Sequence, residues 1–349
     1  MTSLLLALHI ALTQNSPIQF RVSGKPLLVS WAPKGKRLYI ISAGEDKANP
    51  FLYEWPSGKR IKLPFLPEWK LQMKFDESGS KAVIFGASNK KVLTAELPLK
   101  KIEEVEGDCY SAWWIGKDLA RIRPLLPNKD WSAGQFLQVG NRKAALPKNR
   151  KLDYWGGDKN IIVGSGSRLF PGGAIELREI DLRTLSTKLI RRHEKPHVSL
   201  ELVEQNSISW NTTLEAAILT LTADTGGQTS SPFLSIRSGK IELIEPKSAG
   251  LFFLSKTTPK WIGSRILFVG TTQTPGNEGD TYSLKEVHSL MAYIMGQSAF
   301  TSLRSIQGFD GKKSNGFIDC ADVSSDGKWL AIYDSTTGGK VQIQPISLP

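Results

Sequence analysis

Residues that bind metals or act as nucleophiles are scarce in this chain. Its 349 residues include only two cysteines, Cys109 and Cys320, and four histidines. Two cysteines are too few for a disulfide framework, and their separation does not match the spacing of a metal site. Cys320 lies in a strand-like apolar run, so we interpret it as a buried free thiol. A Cys109–Cys320 disulfide is the alternative, which the spacing does not favour.

The common catalytic and cofactor-binding motifs are also missing. His193 and His197 are four residues apart, but Pro196 prevents a helix that would place both imidazoles on one face. The chain contains no Gly-x-Ser-x-Gly nucleophile elbow, and its glycine-rich segments lack the strand-to-helix context of a nucleotide loop. The acidic segment 276–280 is typical of a solvated turn. The sequence therefore predicts no catalytic residue, no cofactor and no metal, and it favours a protein that is not an enzyme.

No apolar run is long enough for a transmembrane segment. The longest, Leu4–Leu12, has the length of a signal-peptide core, and Ala11–Thr13 is a tolerable cleavage site. Met1–Ser3 carries no Lys or Arg, so a buried N-terminal strand is the alternative. Residues 1–14 are therefore a candidate signal peptide, and we expect residues 15–349 to form a single domain. This predicts an exported protein, periplasmic or extracellular, with a cytoplasmic protein as the alternative.

Acidic residues are fewer than basic residues in this chain. The 45 Lys and Arg outnumber the 33 Asp and Glu, which gives a net charge of +12 and favours an acidic partner. No basic helix or long Lys/Arg run is present, so nucleic acid is not expected. The densest basic patch is interrupted by Ala, Leu and Pro and is typical of a solvated loop; it consists of Arg142, Lys143, Lys148, Arg150 and Lys151.

Aromatic residues and turn formers are plentiful, and they recur in a repeat. Each repeat has an apolar anchor, a short turn rich in Gly, Lys, Asp or Ser, and then an apolar strand. The anchors are Trp31, Phe75, Trp114, Trp155, Trp210, Trp261 and Val323. The first three intervals match the roughly 40 to 50 residues of a four-stranded propeller blade, and the later three are about ten to twenty residues longer. We interpret the excess as inserted loops, with an eighth blade as the alternative.

The repeat has a physical basis. A tight turn needs Gly or Asp where φ is positive, and the bulky anchor fills the space between neighbouring sheets. One blade cannot bury both faces, so the set must stack. The prediction is an all-β, seven-bladed β-propeller with four-stranded antiparallel blades. The last unit lacks one strand, and 18–22 is the obvious donor, which predicts a velcro closure between the N- and C-termini.

Two repeats carry a recognisable pattern. Residues 31–38 and 323–331 resemble the W-S-P-D-G-K-x-L-A core of the WD40-like repeats in TolB-type propellers, and 75–85 is similar to it. The other four units keep only the anchor, the turn and the following strand. No Trp-Asp dipeptide ends a blade, as it does in true WD repeats. The resemblance implies a fold and a tendency to bind other molecules, not an activity.

The leading functional hypothesis is a non-enzymatic binding or scaffolding propeller that presents one rim to a protein or an acidic polymer. The expected surface lies on the longest insertions, 124–151, with Trp131 and the basic patch, and 271–285. Trp131 packed against the ring is the alternative. Two other functions stay open. One is a channel-mouth enzyme, a lyase or hydrolase on a polysaccharide or lactone, which would need converging carboxylates or a His. The other is an intracellular interaction propeller.

Overall fold

A computed structural model gives the fold. It describes residues 17–44, 49–65, 71–86, 89–126, 134–146, 150–155, 161–166, 175–193, 199–202, 208–211, 216–224, 229–230, 233–237, 240–244, 252–255, 257, 259–275, 284–294, 301–305, 318–334 and 338–346. In these residues every regular element is a β-strand, apart from one 3-10 helix at Pro33–Gly35. The predicted all-β class is confirmed. Across the same ranges, no helix has the length and apolarity needed to cross a bilayer.

The described strands form seven antiparallel sheets, numbered I to VII in chain order. The first strand, β1 (Ile18–Arg21), belongs to the last sheet. Sheet I contains β2 (Pro26–Trp31), β3 (Leu38–Ser42), β4 (Phe51–Trp55) and β5 (Arg60–Lys62). Sheet II contains β6 (Gln72–Phe75), β7 (Lys81–Phe85), β8 (Asn89–Glu96) and β9 (Lys101–Cys109). Sheet III contains β10 (Ser111–Ile115), β11 (Asp118–Pro124), β12 (Gln135–Val139) and β13 (Arg142–Ala145).

The remaining sheets follow the same order, with extra strands in two of them. Sheet IV contains β14 (Arg150–Trp155), β15 (Ile161–Gly166), β16 (Ile175–Ile180) and β17 (Thr187–His193). Sheet V contains β18 (Ser199–Leu202), β19 (Ile208–Asn211), β20 (Ala216–Asp224), β21 (Thr229–Ser230), β22 (Phe233–Arg237) and β23 (Lys240–Ile244). Sheet VI contains β24 (Phe252–Ser255), β25 (Lys260–Ile262), β26 (Arg265–Pro275), β27 (Leu284–Ile294) and β28 (Thr301–Ser305). Sheet VII contains β29 (Ile318–Val323), β30 (Trp329–Asp334), β31 (Lys340–Pro345) and β1.

Strand β3 shows how the sheets stack. Leu38 and Ile40 pack in a cluster with residues of sheet VII, whereas Tyr39 and Ile41 pack in a cluster with residues of sheet II. All four side chains are fully buried. Sheet I is therefore covered on both faces, which explains why β3 is a continuous apolar run. Burial of each such side chain stabilises the fold by roughly 1.5–3 kcal/mol.

Contacts join each sheet to the next one in chain order. Apolar clusters link sheets I and II, II and III, III and IV, and VI and VII. Strands β14 and β15 contact β18 and β19 between sheets IV and V. Between sheets V and VI, Asn211 Nδ2 donates a hydrogen bond to the Gly263 carbonyl at 2.9 Å. Sheet VII in turn contacts sheet I through β29 and β2.

In five sheets the anchor lies in the first strand. In sheets V and VI it lies in an additional strand, β19 or β25, which pairs with the same neighbour as the first strand. Each anchor is paired in register with an early apolar residue of that neighbouring strand: Trp31 with Leu38, Phe75 with Ala82, Trp114 with Leu119, Trp155 with Ile161, Trp210 with Ala217, Trp261 with Ile266 and Val323 with Leu330. Trp31 is only 3% exposed and packs edge-on against Trp55, with 5.7 Å between ring centroids. The side chains of Trp155 and Trp210 lie outside the described set.

One turn shows why the repeat needs glycine. Gly327 has φ of +70°, and a Cβ there would lie 2.9 Å from Ile262 of sheet VI. Glycine therefore supplies both the left-handed backbone and the room for the neighbouring sheet.

The N-terminal strand pairs with the C-terminal one. Strand β1 runs antiparallel to β31, with Ile18 opposite Ile343 and Phe20 opposite Val341. The backbone N–H of Val22 continues the contact by donating to the Gly339 carbonyl at 3.0 Å.

The two predicted insertions contain strands where they are described, and residues 127–133, 147–149 and 276–283 of these ranges lie outside the described set. Range 124–151 contains β12 and β13, which are the third and fourth strands of sheet III and are joined by a tight turn at Gly140. Range 271–285 includes the ends of β26 and β27, which pair over their full length. No eighth sheet is found in the described ranges.

Both cysteines are free thiols in different sheets, so the disulfide alternative is wrong. Cys109 ends β9 in sheet II and Cys320 lies in β29 of sheet VII. Cys109 is buried, and its thiol donates to the Ser111 carbonyl at 3.0 Å. Burial raises the pKa of the Cys109 thiol to about 12.

Candidate functional site

The structure distributes the predicted binding residues over two sheets. Arg142 and Lys143 open β13 of sheet III, and both are exposed. Arg150 and Lys151 are the first two residues of β14 in sheet IV, and their side chains lie outside the described set. Trp131 and Lys148 lie entirely outside the described residues.

Arg142 and Lys143 point to opposite faces of β13, as neighbouring residues of a strand do. The Arg142 guanidinium donates from Nη1 to the carbonyls of Leu182 and Arg183 in sheet IV, at 2.7 and 3.1 Å. Lys143 Nζ instead lies 5.4 Å from the centroid of the Phe136 ring, in its own sheet. The structure therefore does not bring these two side chains together.

Lys143 belongs to a different group of cations. On the same face of sheet III, Arg121 is paired in register with Gln138, and Gln138 with Lys143. Arg123 is paired with Phe136, and its guanidinium carbon lies 5.6 Å from the ring centroid. We name this group the cation cluster; it consists of Arg121, Arg123, Phe136, Gln138 and Lys143.

Gln138 connects the two guanidinium groups. Its side-chain oxygen accepts from Arg123 Nη1 at 2.9 Å and from Arg121 Nη2 at 3.5 Å. The Gln138 side-chain nitrogen donates to the Gly140 carbonyl at 3.0 Å, which fixes the orientation of the amide. Both arginines are thus within reach of one neutral oxygen.

The cluster faces the outermost strand of the preceding sheet. Arg121 Nη1 donates to the Glu106 carbonyl of β9 at 2.6 Å, and Arg123 Nε donates to the Asp108 carbonyl at 3.0 Å. Gly107 lies between them with φ of +119°, and a Cβ there would lie 2.5 Å from Arg123 Nη2. Glycine supplies the positive φ here, and its lack of a Cβ leaves space beside the two guanidinium groups.

The charge of the arginine pair is not balanced by an acid. Arg121 is 7% exposed, and the hydrogen-bond acceptors of the pair are two backbone carbonyls and one amide oxygen. Within the described ranges, neither guanidinium forms an ion pair with a carboxylate. Burial, and secondly the charge of Arg123, lower the pKa of Arg121. Buried charge without an opposite charge is costly, so the pair is suited to an anion.

Sequence reasoning missed these arginines, although the sequence carries a signal. The second strands of sheets I and II are apolar on both faces, as at Ile40 and Ile41. In β11, by contrast, Arg121 and Arg123 alternate with Ala120 and Ile122. Two arginines at alternating positions of an otherwise buried strand indicate a polar face.

A second polar contact joins three sheets. Asp322 of β29 is 6% exposed, and its Oδ2 accepts from the backbone N–H of Trp31 in β2 at 2.8 Å. Lys260 of β25 places Nζ 3.4 Å from Asp322 Oδ1. Burial raises the pKa of Asp322, and the Lys260 charge opposes this effect. Across the described part of the chain, no group of three or more His, Cys, Asp or Glu side chains is arranged to hold a metal ion.

Solved structures with the same architecture identify the fold. The β-propeller domain of Cps50 (Swd1) from Myceliophteria thermophila matches with a TM-score of 0.57 and 13% identity, covering 95% of this chain and 98% of that one. An ulvan lyase, from a polysaccharide lyase family, matches with a TM-score of 0.58 and 9% identity, covering 95% and 96%. The C-terminal WD40 domain of Sif2 matches with a TM-score of 0.50 and 12% identity, covering 95% and 99%.

No protein-family model matches the chain, and no curated protein matches its sequence. At these identities the similarity concerns the fold alone. The chain has a β-propeller fold, as the repeats predict.

Proposed function

We propose that this protein is a non-enzymatic binding or scaffolding propeller that holds an acidic partner, a protein or an acidic polymer, at the cation cluster of sheet III. The observation that carries the proposal is the Arg121–Arg123 pair, whose hydrogen-bond acceptors are neutral oxygens. An acidic group from a partner would supply the missing opposite charge. The net charge of +12 favours approach of the same class of partner.

The same hairpin also offers apolar contact area. Leu125 and Leu126 follow β11 directly and are 50% and 51% exposed. The Leu125 N–H donates to the Gly134 carbonyl at 2.8 Å, so the hairpin of β11 and β12 continues to this point. The predicted Trp131 belongs to the segment between these residues and remains part of the proposed surface.

A direct test compares polymers of different charge. We expect dextran sulfate or polyglutamate to bind in biolayer interferometry at physiological salt, and neutral dextran not to bind. Replacing Arg123→Gln and Lys143→Gln together is expected to weaken binding at least tenfold, about 1.4 kcal/mol. Lys59→Gln with Lys117→Gln removes the same charge at exposed positions outside the cluster and is the matched control. Equal losses in both double variants would indicate nonspecific attraction and contradict the proposal.

We further propose that the seven sheets are the blades of one closed ring, with β1 as the closing strand. The supporting observations are the contact of sheet VII with sheet I and the pairing of β1 with β31. The TolB-type character of the repeats at Trp31 and Val323 and a single domain over 15–349 belong to the same proposal.

Export is a separate proposal, because residues 1–14 lie outside the described ranges. The intact mass of the protein from its native source decides it. A mass short by the first 13 or so residues supports a cleaved signal peptide and a periplasmic or extracellular protein. A full-length mass supports the cytoplasmic alternative.

The second candidate is a channel-mouth lyase or hydrolase acting on a polysaccharide. The similarity to the fold of an ulvan lyase favours it. Against it, Asp322 already accepts from the Trp31 backbone and lies beside Lys260, so its carboxylate serves to join sheets. Turnover of a polysaccharide that survives Arg123→Gln would favour the enzyme over the binding propeller.

A further inference from the structure

The cation cluster has a geometry that selects a particular acidic group. Each guanidinium has five N–H donors, and Arg121 and Arg123 each use two of them in the contacts to β9 and Gln138. One used donor from each group meets at a single position, the side-chain oxygen of Gln138, and each guanidinium keeps further N–H donors. Gly107 keeps the space beside Arg123 Nη2 free of a side chain.

We infer that Arg121 and Arg123 form an oxyanion site that binds a tetrahedral sulfate or phosphate group of the acidic partner. This inference rests on the proposed function and names the chemistry of its ligand. A planar carboxylate is matched by the fork of a single guanidinium. A sulfate or phosphate ester has three terminal oxygens, so it can accept from both arginines at once.

Gln138 occupies the place of the anion in the free protein. Its amide oxygen accepts from both guanidinium groups but brings no charge, and Gln138 is only partly buried. The incoming oxyanion either replaces this oxygen or adds beside it. Lys143, on the same face and next to Gln138 in register, adds a third positive charge at the open side.

Gln138→Glu is the sharpest variant, because it places a carboxylate where the amide oxygen now bridges the arginines. Without added anion, we expect it to raise the midpoint of thermal unfolding, since the buried Arg121 and the partly buried Arg123 gain an internal counter-charge. It should also weaken the response to sulfate. Gln19→Glu, at an exposed position of β1, is the matched control. A lower midpoint for Gln138→Glu than for Gln19→Glu would overturn the inference.

Binding is measured directly with inorganic sulfate and inorganic phosphate at constant ionic strength, by calorimetry and by thermal unfolding. Sulfate stabilises proteins in general by exclusion from their surface, so only a saturable effect that depends on the cluster counts. We expect saturable binding to the full chain, unchanged in Gln19→Glu and at least tenfold weaker in Gln138→Glu and in Arg123→Lys. The same response in all four proteins overturns the site.

The source of the group and the proposed function are tested separately. A sugar sulfate and the corresponding sugar phosphate distinguish the two esters, and acetate tests a simple carboxylate. Binding of either ester in preference to acetate supports the inference. If polyglutamate binds through Lys143 and Arg123 while both esters and both inorganic anions do not, the acidic-partner function stands and the oxyanion site is wrong.

Discussion

Trp31 donates two hydrogen bonds to Asp322: its backbone N–H to the carboxylate at 2.8 Å, and its indole N–H to the backbone carbonyl at 3.2 Å. These residues are 291 positions apart in the sequence and belong to sheets VII and I. The indole of the first repeat anchor therefore does more than fill space. It donates one of the two hydrogen bonds by which Trp31 of the first sheet holds Asp322 of the last.

Loss of the Asp322 carboxylate is expected to destabilise the fold strongly. Asp322→Ala leaves the buried Trp31 N–H without its acceptor and Lys260 without its counter-charge, which we expect to cost about 2 to 4 kcal/mol. Urea unfolding measures the loss. Asp319→Ala in the same strand removes an exposed ion pair with Lys25 and should cost less than about 1 kcal/mol. Equal costs would show that the link between sheets VII and I contributes little.

The same residue gives the fold an unusual pH dependence. Burial raises the pKa of Asp322 in the folded state above its unfolded value of about 3.9. In the window between these two pKa values the folded state binds the proton and the unfolded state does not, so the contribution of Asp322 to stability falls as pH rises through the folded pKa. Urea unfolding of the wild type and of Asp322→Asn over a pH series measures this. The advantage of the wild type over Asp322→Asn should shrink with rising pH; growth of that advantage would contradict the burial effect.

Cys109 should be unreactive in the folded protein. Its thiol is buried and its pKa is raised to about 12, so almost no thiolate is present near neutral pH. Alkylation by iodoacetamide at pH 8, followed by peptide mass spectrometry, is expected to leave Cys109 unmodified until the protein is unfolded in urea. Rapid modification under native conditions would show that β9, the last strand of sheet II, separates from the face of sheet III that covers Cys109.

These contacts separate what the sequence can predict from what it cannot. The pairing of Trp31 with Leu38 is local, because anchor, turn and strand are adjacent in the chain and turn chemistry dictates their arrangement. The cation cluster depends on contacts that are not local: Gln138 reaches Arg121 through strand pairing, and Gly107, which leaves space beside the cluster, belongs to another sheet. The basic residues at 142–151 are close in sequence, yet alternation sends Arg142 and Lys143 to opposite faces. Charge density along the chain therefore did not reveal the cluster.

Gly327→Ala is expected to destabilise the contact between sheets VI and VII. The substitution forces a Cβ into a left-handed backbone with φ of +70° and to 2.9 Å from Ile262, which together should cost roughly 1 to 3 kcal/mol. Gly116→Ala, with φ of +57° and open space around its Cβ, isolates the backbone part. In a double-mutant cycle, Ile262→Ala should recover part of the loss caused by Gly327→Ala. If the stability costs of Gly327→Ala and Ile262→Ala simply add, the close approach of these two residues does not contribute to the loss of stability.

Strand β1 should be required for stability, whereas the residues before it should not. Removing 1–21 deletes the partner of β31, together with Ile18 and with Phe20, whose ring lies 6.4 Å from that of Tyr53. Loss of these partly buried side chains is expected to cost about 2 to 4 kcal/mol, and the uncovered edge of β31 should promote association. Thermal unfolding and size-exclusion chromatography measure the two effects. Removal of 1–14 leaves β1 in place and should match the full chain in both measurements. If the two truncations behave alike, β1 is not the strand that closes the ring, and the stability of sheet VII comes from β29, β30 and β31 alone.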